Sequence, residues 1–500
     1  MSIEAVTIGW IALPLFLGFV IYLLPPFSRV LSALIAIASL AYALFQIFAL
    51  VPTTLTFVGD FGVTLALDSL SGYFILTNAI VTMAVILYSW SSEKTAFFFA
   101  QVAFLHGSMN AVFICADFMS LYVALEVIGI SAFLLIAYPR SDRTIWLGLR
   151  YLFISNTAML FYLLGAVQVY RANQSFAFAG IENAPAEAIA LIFLGLLSKG
   201  GVFVSGLWLP QTHAGAETSV SALLSGVVVK TGVFPLIRCA ALLEEMGPVL
   251  QLLGLSTAIL GTTCAIVERD TKRTLAWSTV SQMGFLLIAP PIAGLYALGH
   301  GLAKAALFLT AGNLPSRQFA ELRRQPIARS RWIVMAIAGL SICGFPLLVG
   351  FGAKSLALKG LSGWIEIVAN VAAVGTAVVF AKFIFLPFAK QSVNQQAATQ
   401  QSATGQAATG QTTQPATGYW AAIALLISTL ILASALEPNV YVLSSMVKAV
   451  LTLAAGWLLY GLLSARLSTG QLVLAASERL DNIIGTMILM LLFLFWWVVP

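Results

Sequence analysis

The chain has 500 residues, of which 60% are hydrophobic and only 9% charged, against about 25% charged residues in a soluble domain. A water-soluble fold of this size has no means of hiding so much apolar surface, so soluble enzymes and nucleic-acid-binding proteins are excluded as classes. The formal net charge of +6 is read as basic loops facing anionic lipid and setting topology, not as a footprint for nucleic acid.

Apolar runs of roughly 18 to 25 residues succeed one another, each long enough to cross a bilayer core of about 30 Å. Within lipid the backbone must satisfy its own hydrogen bonds, and nothing alternates with the period of a barrel strand, so the spans are helices. The fold class is an all-α polytopic membrane protein. Crossing segments are expected near 8–24, 28–51, 69–90, 96–114, 116–138, 145–170, 186–208, 218–241, 248–267, 275–293, 295–313, 332–355, 364–388, 419–436, 442–463 and 482–499. With one merge or split, that makes about 14 to 16 helices. The first run follows an acidic residue, Glu4, and has no small-residue cleavage site, so it reads as a retained helix.

Loops leaving odd-numbered spans hold thirteen Lys or Arg residues, from Arg29 to Lys390, whereas those leaving even-numbered spans hold chiefly Arg171 and Lys359. This bias puts the odd exits in the cytoplasm and the N-terminus outside. Residues 391–417 are a Gln/Ala/Thr/Gly tract with no apolar face, expected to be a disordered linker. The chain thus divides into N-terminal helices (1–95), a core (96–390), the linker, and C-terminal helices (418–500). Residues 466–480 are expected to form an amphipathic surface helix. Cys115, Cys239, Cys264 and Cys343 lie singly in apolar stretches, which offers neither a metal nor a cluster site nor a disulfide. No cofactor is expected.

Against this background a few ionisable residues fall at mid-membrane depth. Glu126 lies thirteen residues before Pro139 and Lys199 eleven before Pro210, about 20 Å and 16 Å at helical rise. Lys230 lies in SALLSGVVVKTGVFPLIR, and Lys354 closes GFPLLVGFGAK. His300 and Lys304, four apart, share one helix face. A charge at that depth costs at least about 2.5 kcal/mol. One Glu, four Lys and one His over five spans are more than helix locking requires, and point to a proton path. Burial disfavours an ammonium and a nearby carboxylate restores it, so a Glu–Lys pair that opens and closes switches a lysine between holding and releasing a proton. Lys382, near Pro387 and Lys390, is read instead as an anchor that snorkels toward the interface. The lysines fall beside glycines and prolines, as broken helices do at transporter ion sites. A helix running unbroken from Arg331 would carry Lys354 about 35 Å, to the far surface. A break near Gly344–Pro346 or Gly350–Gly352 is therefore expected. No acidic cluster forms a sodium site; Asp60, Asp68 and Asp117 are placed near interfaces.

The order Trp208-Leu209-Pro210-x-x-His213, SALLSGVVVKTGVFPLIR, HGLAKAALFLTAG and GFPLLVGFGAK resembles the antiporter-like proton-translocating membrane subunits. These occur in Mrp-type multisubunit sodium/proton antiporters and in the membrane arm of complex I. The likeness runs over roughly residues 69 to 388, and the wording HAGAETSVSALLSGVVVKTGVF and ERLDNIIGTMILMLLFLFWW is similar to the D subunit of Mrp antiporters. The stretch YPRSDRTIWLGLRYLFISNTAML is similar to cyanobacterial homologues.

The resemblance implies two inverted five-helix repeats, each with a broken helix, joined by a hydrophilic axis. It implies that Glu126 partners Lys199, that Lys230 is the central lysine, that His300 and Lys304 link the halves, and that Lys354 is terminal. His213 would be a loop histidine. Tyr296 stands where some members have a second histidine, and no long lateral helix follows the last span, unlike the distal subunit of complex I. The implied partners are other membrane subunits, the lipid bilayer, protons, and sodium or potassium, in a bacterial plasma membrane or a thylakoid. The same module in a quinone oxidoreductase, hydrogenase or carbon-uptake complex is the alternative, and a purely scaffolding bundle a third reading.

Overall fold

The computed structural model describes residues 2–57, 62–243, 245–389, 417–463 and 478–498. The Gln/Ala/Thr tract up to residue 416, most of the expected surface helix at 466–480, and Asp60 lie outside the described residues. Fourteen helical stretches are long and apolar enough to cross a membrane. Two further segments, Thr271–Ile288 and the interrupted Arg329–Lys359, bring the crossing segments among the described residues to the expected sixteen.

In chain order the first helices are α1 (Ile3–Leu23), α2 (Ser28–Phe48), α3 (Ser69–Tyr88), α4 (Ala96–Ile114), α5 (Phe118–Ile136) and α6 (Asp142–Asn173). The seventh crossing is split into α7 (Ala186–Lys199) and α8 (Leu209–Gly215), and the eighth into α9 (Thr218–Leu223), a π turn (Leu224–Val228) and α10 (Lys230–Ala240). Then come α11 (Met246–Val267), α12 (Thr271–Ile288), α13 (Ala293–Ala311), the single turn α14 (Phe319–Leu322), α15 (Arg329–Cys343), α16 (Val349–Lys359) and α17 (Gly363–Ile384). The C-terminal part contributes α18 (Thr417–Leu432), α19 (Leu443–Leu463) and α20 (Leu480–Val498).

Helix starts obey short-range chemistry. Asp68, Asp117 and Asp270 accept the free backbone N–H three residues on, at 2.9, 2.7 and 3.0 Å. Ser141 and Thr144 make a reciprocal capping box. These carboxylates are helix caps near the interfaces, as expected for Asp68 and Asp117. Asp117 also accepts the N–H of Thr64, at 2.8 Å, and so ties α5 to β2. The sequence reading missed the two small sheets: β1 (Thr53–Thr56) paired antiparallel with β2 (Thr64–Leu67), and β3 (Ile327–Ala328) paired parallel with β4 (Phe388–Ala389). Both lie in connections between crossings.

The alternation of crossings has an independent check. All six ion pairs among the described residues join ends that the loop count puts on one side. Lys94–Glu217, Arg273–Glu268, Arg273–Glu478 and Arg317–Asp270 join odd exits; Arg238–Asp68 and Lys448–Glu366 join even exits.

Crossings four to eight (α4 to α10) and nine to thirteen (α11 to α17) form two five-helix sets. Because five is odd, the second set enters from the opposite side, so the two are inverted relative to each other. In each set the fourth crossing is broken. The first break carries positive φ at Gly201 (64°) and Phe203 (52°), the second at Gly344 (85°) and Leu347 (71°). Left-handed backbone is free for glycine but costs an L-residue about 1–2 kcal/mol. Phe203 and Leu347 therefore hold strain that the surrounding packing must offset. The second break spans Gly344–Leu348, at the first of the two expected places.

Candidate functional site

The breaks free backbone carbonyls in the membrane interior, and polar side chains settle on them. At the first break, Ser205 Oγ donates to the carbonyls of Leu197 (3.1 Å) and Val202 (2.5 Å), and Trp208 Nε1 to that of Ser198 (3.0 Å). Lys199 ends α7 here. Its Nζ reaches across to α5 and α6, donating to the Leu125 carbonyl (3.1 Å) and Ser155 Oγ (2.5 Å). It lies over Gly129, 3.4 Å from where a Cβ would stand.

Glu126 is the next residue after Leu125, half-buried on α5. The two charges feel each other electrostatically, yet no carboxylate lies within ion-pairing distance of Lys199 among the described residues. The structure thus sets Glu126 near Lys199 in an open arrangement, one of the two states of a pair that opens and closes.

Lys230 follows the π turn. Such a turn leaves carbonyls without their usual helical N–H, and Lys230 Nζ donates to two of them, Gly226 and, at 3.5 Å, Ser225. Ser225 Oγ meets Thr279 Oγ1 of α12 at 2.7 Å. Lys304, on α13, donates to Ser278 Oγ and to the Leu275 carbonyl (2.8 Å), also on α12. A polar face of α12, Ser278 to Gln282, therefore bonds Lys304 directly and meets the π turn below Lys230 through Ser225. The sequence reading passed over it, although WSTVSQMG is unusually polar for a crossing segment, and this was the signal available. Ser155 was missed for the opposite reason: one serine in an apolar helix carries no signal.

His300 lies one turn before Lys304, and both Lys230 and Lys304 act on it electrostatically. Neither of its ring nitrogens has a hydrogen-bond partner among the described residues, nor does Ser341 Oγ. Both residues line a cavity of about 10 Å³ with Gln282, Tyr296, Ile342 and Ala353, about the size that holds one water. Tyr296 donates to Gln282 Oε1 at 2.6 Å. Ile342 leads on to the last lysine: its carbonyl accepts from Lys354 Nζ at 3.3 Å. Lys354 folds back over the second break, above the Phe285 ring (4.9 Å), and opens into a cavity of about 350 Å³ lined by Ser355, Lys359, Glu366, Ser444 and Lys448.

Lys199, Lys230, His300, Lys304 and Lys354 are each at most 5% exposed, and none of the four lysines has a carboxylate within ion-pairing distance among the described residues. Two expectations need correction. His213 is not in a loop: it lies in the short helix α8, fully buried between the Trp208 and Phe308 rings (6.4 and 5.8 Å), since the break turns the chain back into the bundle. Lys382 does not snorkel. It is buried and donates to the end carbonyls of α11, Ala265 (3.1 Å), Ile266 (3.3 Å) and Glu268, which outcompete interfacial water as partners. Among the described residues no group of three or more His, Cys, Asp or Glu is placed to hold a metal ion, and the four cysteines are free and buried.

Residues 115–380 match the family described as NADH:quinone oxidoreductase/Mrp antiporter, transmembrane. The N subunit of the NADH-quinone oxidoreductase of Desulforudis audaxviator is 28% identical over 365 residues, 65% of this chain and 72% of that protein. The D subunit of the Na(+)/H(+) antiporter of Alkalihalophilus pseudofirmus is 27% identical over 355 residues, 64% of this chain and 72% of that one. In fold, the chain superposes on a chain of the Mrp complex from Dietzia sp. DQ12-45-1b with a TM-score of 0.73 at 21% identity, covering 97% of this chain and 60% of that one. The likeness takes in both broken crossings and all four axis lysines, and the chain belongs to the NADH:quinone oxidoreductase/Mrp antiporter family of transmembrane subunits.

Proposed function

We propose that this chain is the proton-translocating subunit of a multisubunit cation/proton antiporter, exchanging protons against sodium or potassium. Protons move along Glu126, Lys199, Lys230, His300, Lys304 and Lys354. We place the complex in the bacterial plasma membrane, or in the thylakoid of a cyanobacterium. The observation that carries the reading is that four buried lysines are held by carbonyls, hydroxyls and rings but by no carboxylate among the described residues. A structural ion pair would bring its acid with it, because an unpaired buried charge is costly. An amine held by neutral acceptors has no carboxylate fixing its charged form, and so is free to change protonation state as a proton carrier must.

In this scheme Glu126 swings toward Lys199 and stabilises its ammonium. When it swings away, the proton passes toward Lys230, whose charge is relayed by His300 to Lys304 and through the cavity at Ser341 to Lys354. His213, near the charges of Lys304 and Lys272, is placed at the cytoplasmic side of the axis.

The second reading keeps this path and drives it from a redox complex. It is favoured by the near-equal likeness to an oxidoreductase subunit and to an antiporter subunit, and by the lack of a clustered acidic cation site among the described residues.

The test uses the whole complex, purified with its partner subunits and reconstituted in vesicles with a pH-reporting dye. Proton movement started by a sodium or potassium gradient, and lost in Lys230→Ala, supports the antiporter. Movement started only by an electron donor with a quinone supports the second reading. Unchanged movement in Lys230→Ala leaves scaffolding.

A further inference from the structure

A second buried polar system lies in the first four helices, largely ahead of the matched region and away from the lysine axis. Its centre is His106 of α4, a histidine that the sequence reading passed over. Its Nδ1 meets Thr82 Oγ1 of α3 at 3.1 Å, and its Nε2 meets Ser39 Oγ of α2 at 2.8 Å. Asn110 Nδ2 donates to Ser39 Oγ at 3.0 Å, and Asn78 Nδ2 donates to Asn110 Oδ1 (2.8 Å) and to the His106 carbonyl (3.0 Å). Every one of these side chains is at most 2% exposed, and His106 stands eleven residues into the nineteen-residue α4, at mid-membrane depth.

A neutral imidazole has one N–H and one lone pair. Ser39 Oγ accepts from Asn110 and Trp10 and so donates to Nε2, which Asn110 Nδ2 also approaches at 3.2 Å. Thr82 donates to Asn78 Oδ1 at 3.2 Å and so accepts from Nδ1. The neutral ring therefore rests with its lone pair on Nε2, where a proton is taken up when the Ser39 hydroxyl turns to accept. No carboxylate or ammonium is among its hydrogen-bond partners; Tyr42 is the other titratable side chain of the cluster. Packing alone does not call for this. Small residues and a single amide pair hold membrane helices together, whereas an ionisable ring at this depth marks a functional site by default.

The system has an identifiable outer end. Trp10 of α1 donates to Ser39 Oγ at 3.3 Å and stacks on Tyr42 at 3.9 Å, and the Tyr42 hydroxyl meets Thr7 Oγ1 at 2.7 Å. One turn beyond Tyr42, Gln46 is 1% exposed, and its amide comes near the Tyr42 hydroxyl without a hydrogen bond of full geometry among the described residues. A buried amide so poorly satisfied is where water is drawn in. Gln46 lies near the end of α2, at an even exit, beside a groove lined by Ile3, Val6, Trp10, Tyr42 and Phe45. At its inner end the cluster adjoins the axis. Asn78 and Thr82 face His106 from α3, while Thr77 of the same helix packs against Gly301, beside Lys230 Nζ.

We propose that His106, flanked by Ser39 and Thr82, is a lateral proton-binding site, entered from the even-exit surface at Gln46 past the stacked Trp10–Tyr42 pair and acting on Lys230 across α3. It deepens the transport reading and rests on it.

The test uses the reconstituted complex. His106→Asn keeps amide hydrogen bonding but takes up no proton, and Ser39→Ala removes one of the two hydroxyls; each is expected to lower proton flux per assembled complex about fivefold. A purely structural role would not move the second readout: hydrogen–deuterium exchange at the His106 ring carbon, read by mass spectrometry on the intact complex, is expected to slow in Gln46→Leu. Should His106→Asn fail to assemble, the Ser39→Ala flux and the Gln46→Leu exchange decide. Unaltered flux in His106→Asn or Ser39→Ala, with flux lost in Lys230→Ala, overturns the branch and leaves the axis standing. Unaltered flux in Lys230→Ala as well overturns the axis itself.

Discussion

The two broken crossings are built alike and used differently. Each has a glycine and a bulky residue at positive φ, and each sets a buried lysine beside the break. Lys199 ends the first half of its crossing and reaches outward to α5 and α6, where Glu126 waits half-buried. Lys354 lies in the second half of its crossing, folds back on the Ile342 carbonyl above the Phe285 ring of α12, and has no carboxylate within ion-pairing distance among the described residues. The first lysine can be charged by a neighbouring carboxylate. The second has an aromatic face and a cavity of about 350 Å³ with polar lining. The inverted pair thus has one end with a half-buried acid near its lysine and one end whose lysine faces a cavity. The direction of transport would follow from which of the two is loaded first.

The largest expected effect comes from removing the carriers. Lys199→Met and Lys354→Met should each cut proton flux by roughly 10²-fold, the scale of losing a positioned proton-transfer group, with assembly checked by co-purification of partners. Equal losses would say that both ends lie on one path; a loss confined to Lys354→Met would break the comparison. Glu126→Gln should cost less, about tenfold, the worth of some 1.4 kcal/mol of pairing, since Lys199 keeps the Leu125 carbonyl and Ser155. A Glu126→Gln flux as low as that of Lys199→Met would make the acid a carrier in its own right.

The breaks come next. Gly344→Ala forces an L-residue to φ near 85° and should destabilise the complex by about 1–2 kcal/mol, seen as a lower unfolding temperature. Gly360→Ala, at φ −78°, should change it by less than about 0.5 kcal/mol. Small as well, Glu366→Gln removes the pair with Lys448, whose side chains are 40% and 50% exposed, and should cost no more than about 0.5 kcal/mol of stability. A large loss of flux there would mean that the cavity mouth is as selective as the Lys199 end.

The class and the crossings were legible because a bilayer leaves so little choice: apolar length placed sixteen segments, and the excess length from Arg331 to Lys354 narrowed the second break to two glycine-bearing places, of which the structure has the first. What stayed hidden was anything carried by neutral polar residues. Ser155, Ser278 and His106 acquire meaning only from what other helices bring to them. Lys382 was misread because sequence proximity to Pro387 says where a side chain could reach but not that the end of α11 would arrive there first. The Glu126–Lys199 proximity came from the resemblance; its open geometry could not be had from residue order.

The absence of carboxylates from the lysine row, among the described residues, bears on selectivity. Each amine that takes up a proton becomes a fixed positive charge in a dry channel, and at an effective dielectric near 20 it repels a bare metal ion 4 Å away by about 4 kcal/mol. A proton escapes this barrier because it travels as part of the amine. On the proton-path reading proposed above, the row would therefore hold back alkali ions while passing protons, and any sodium or potassium exchanged would take a route away from these lysines.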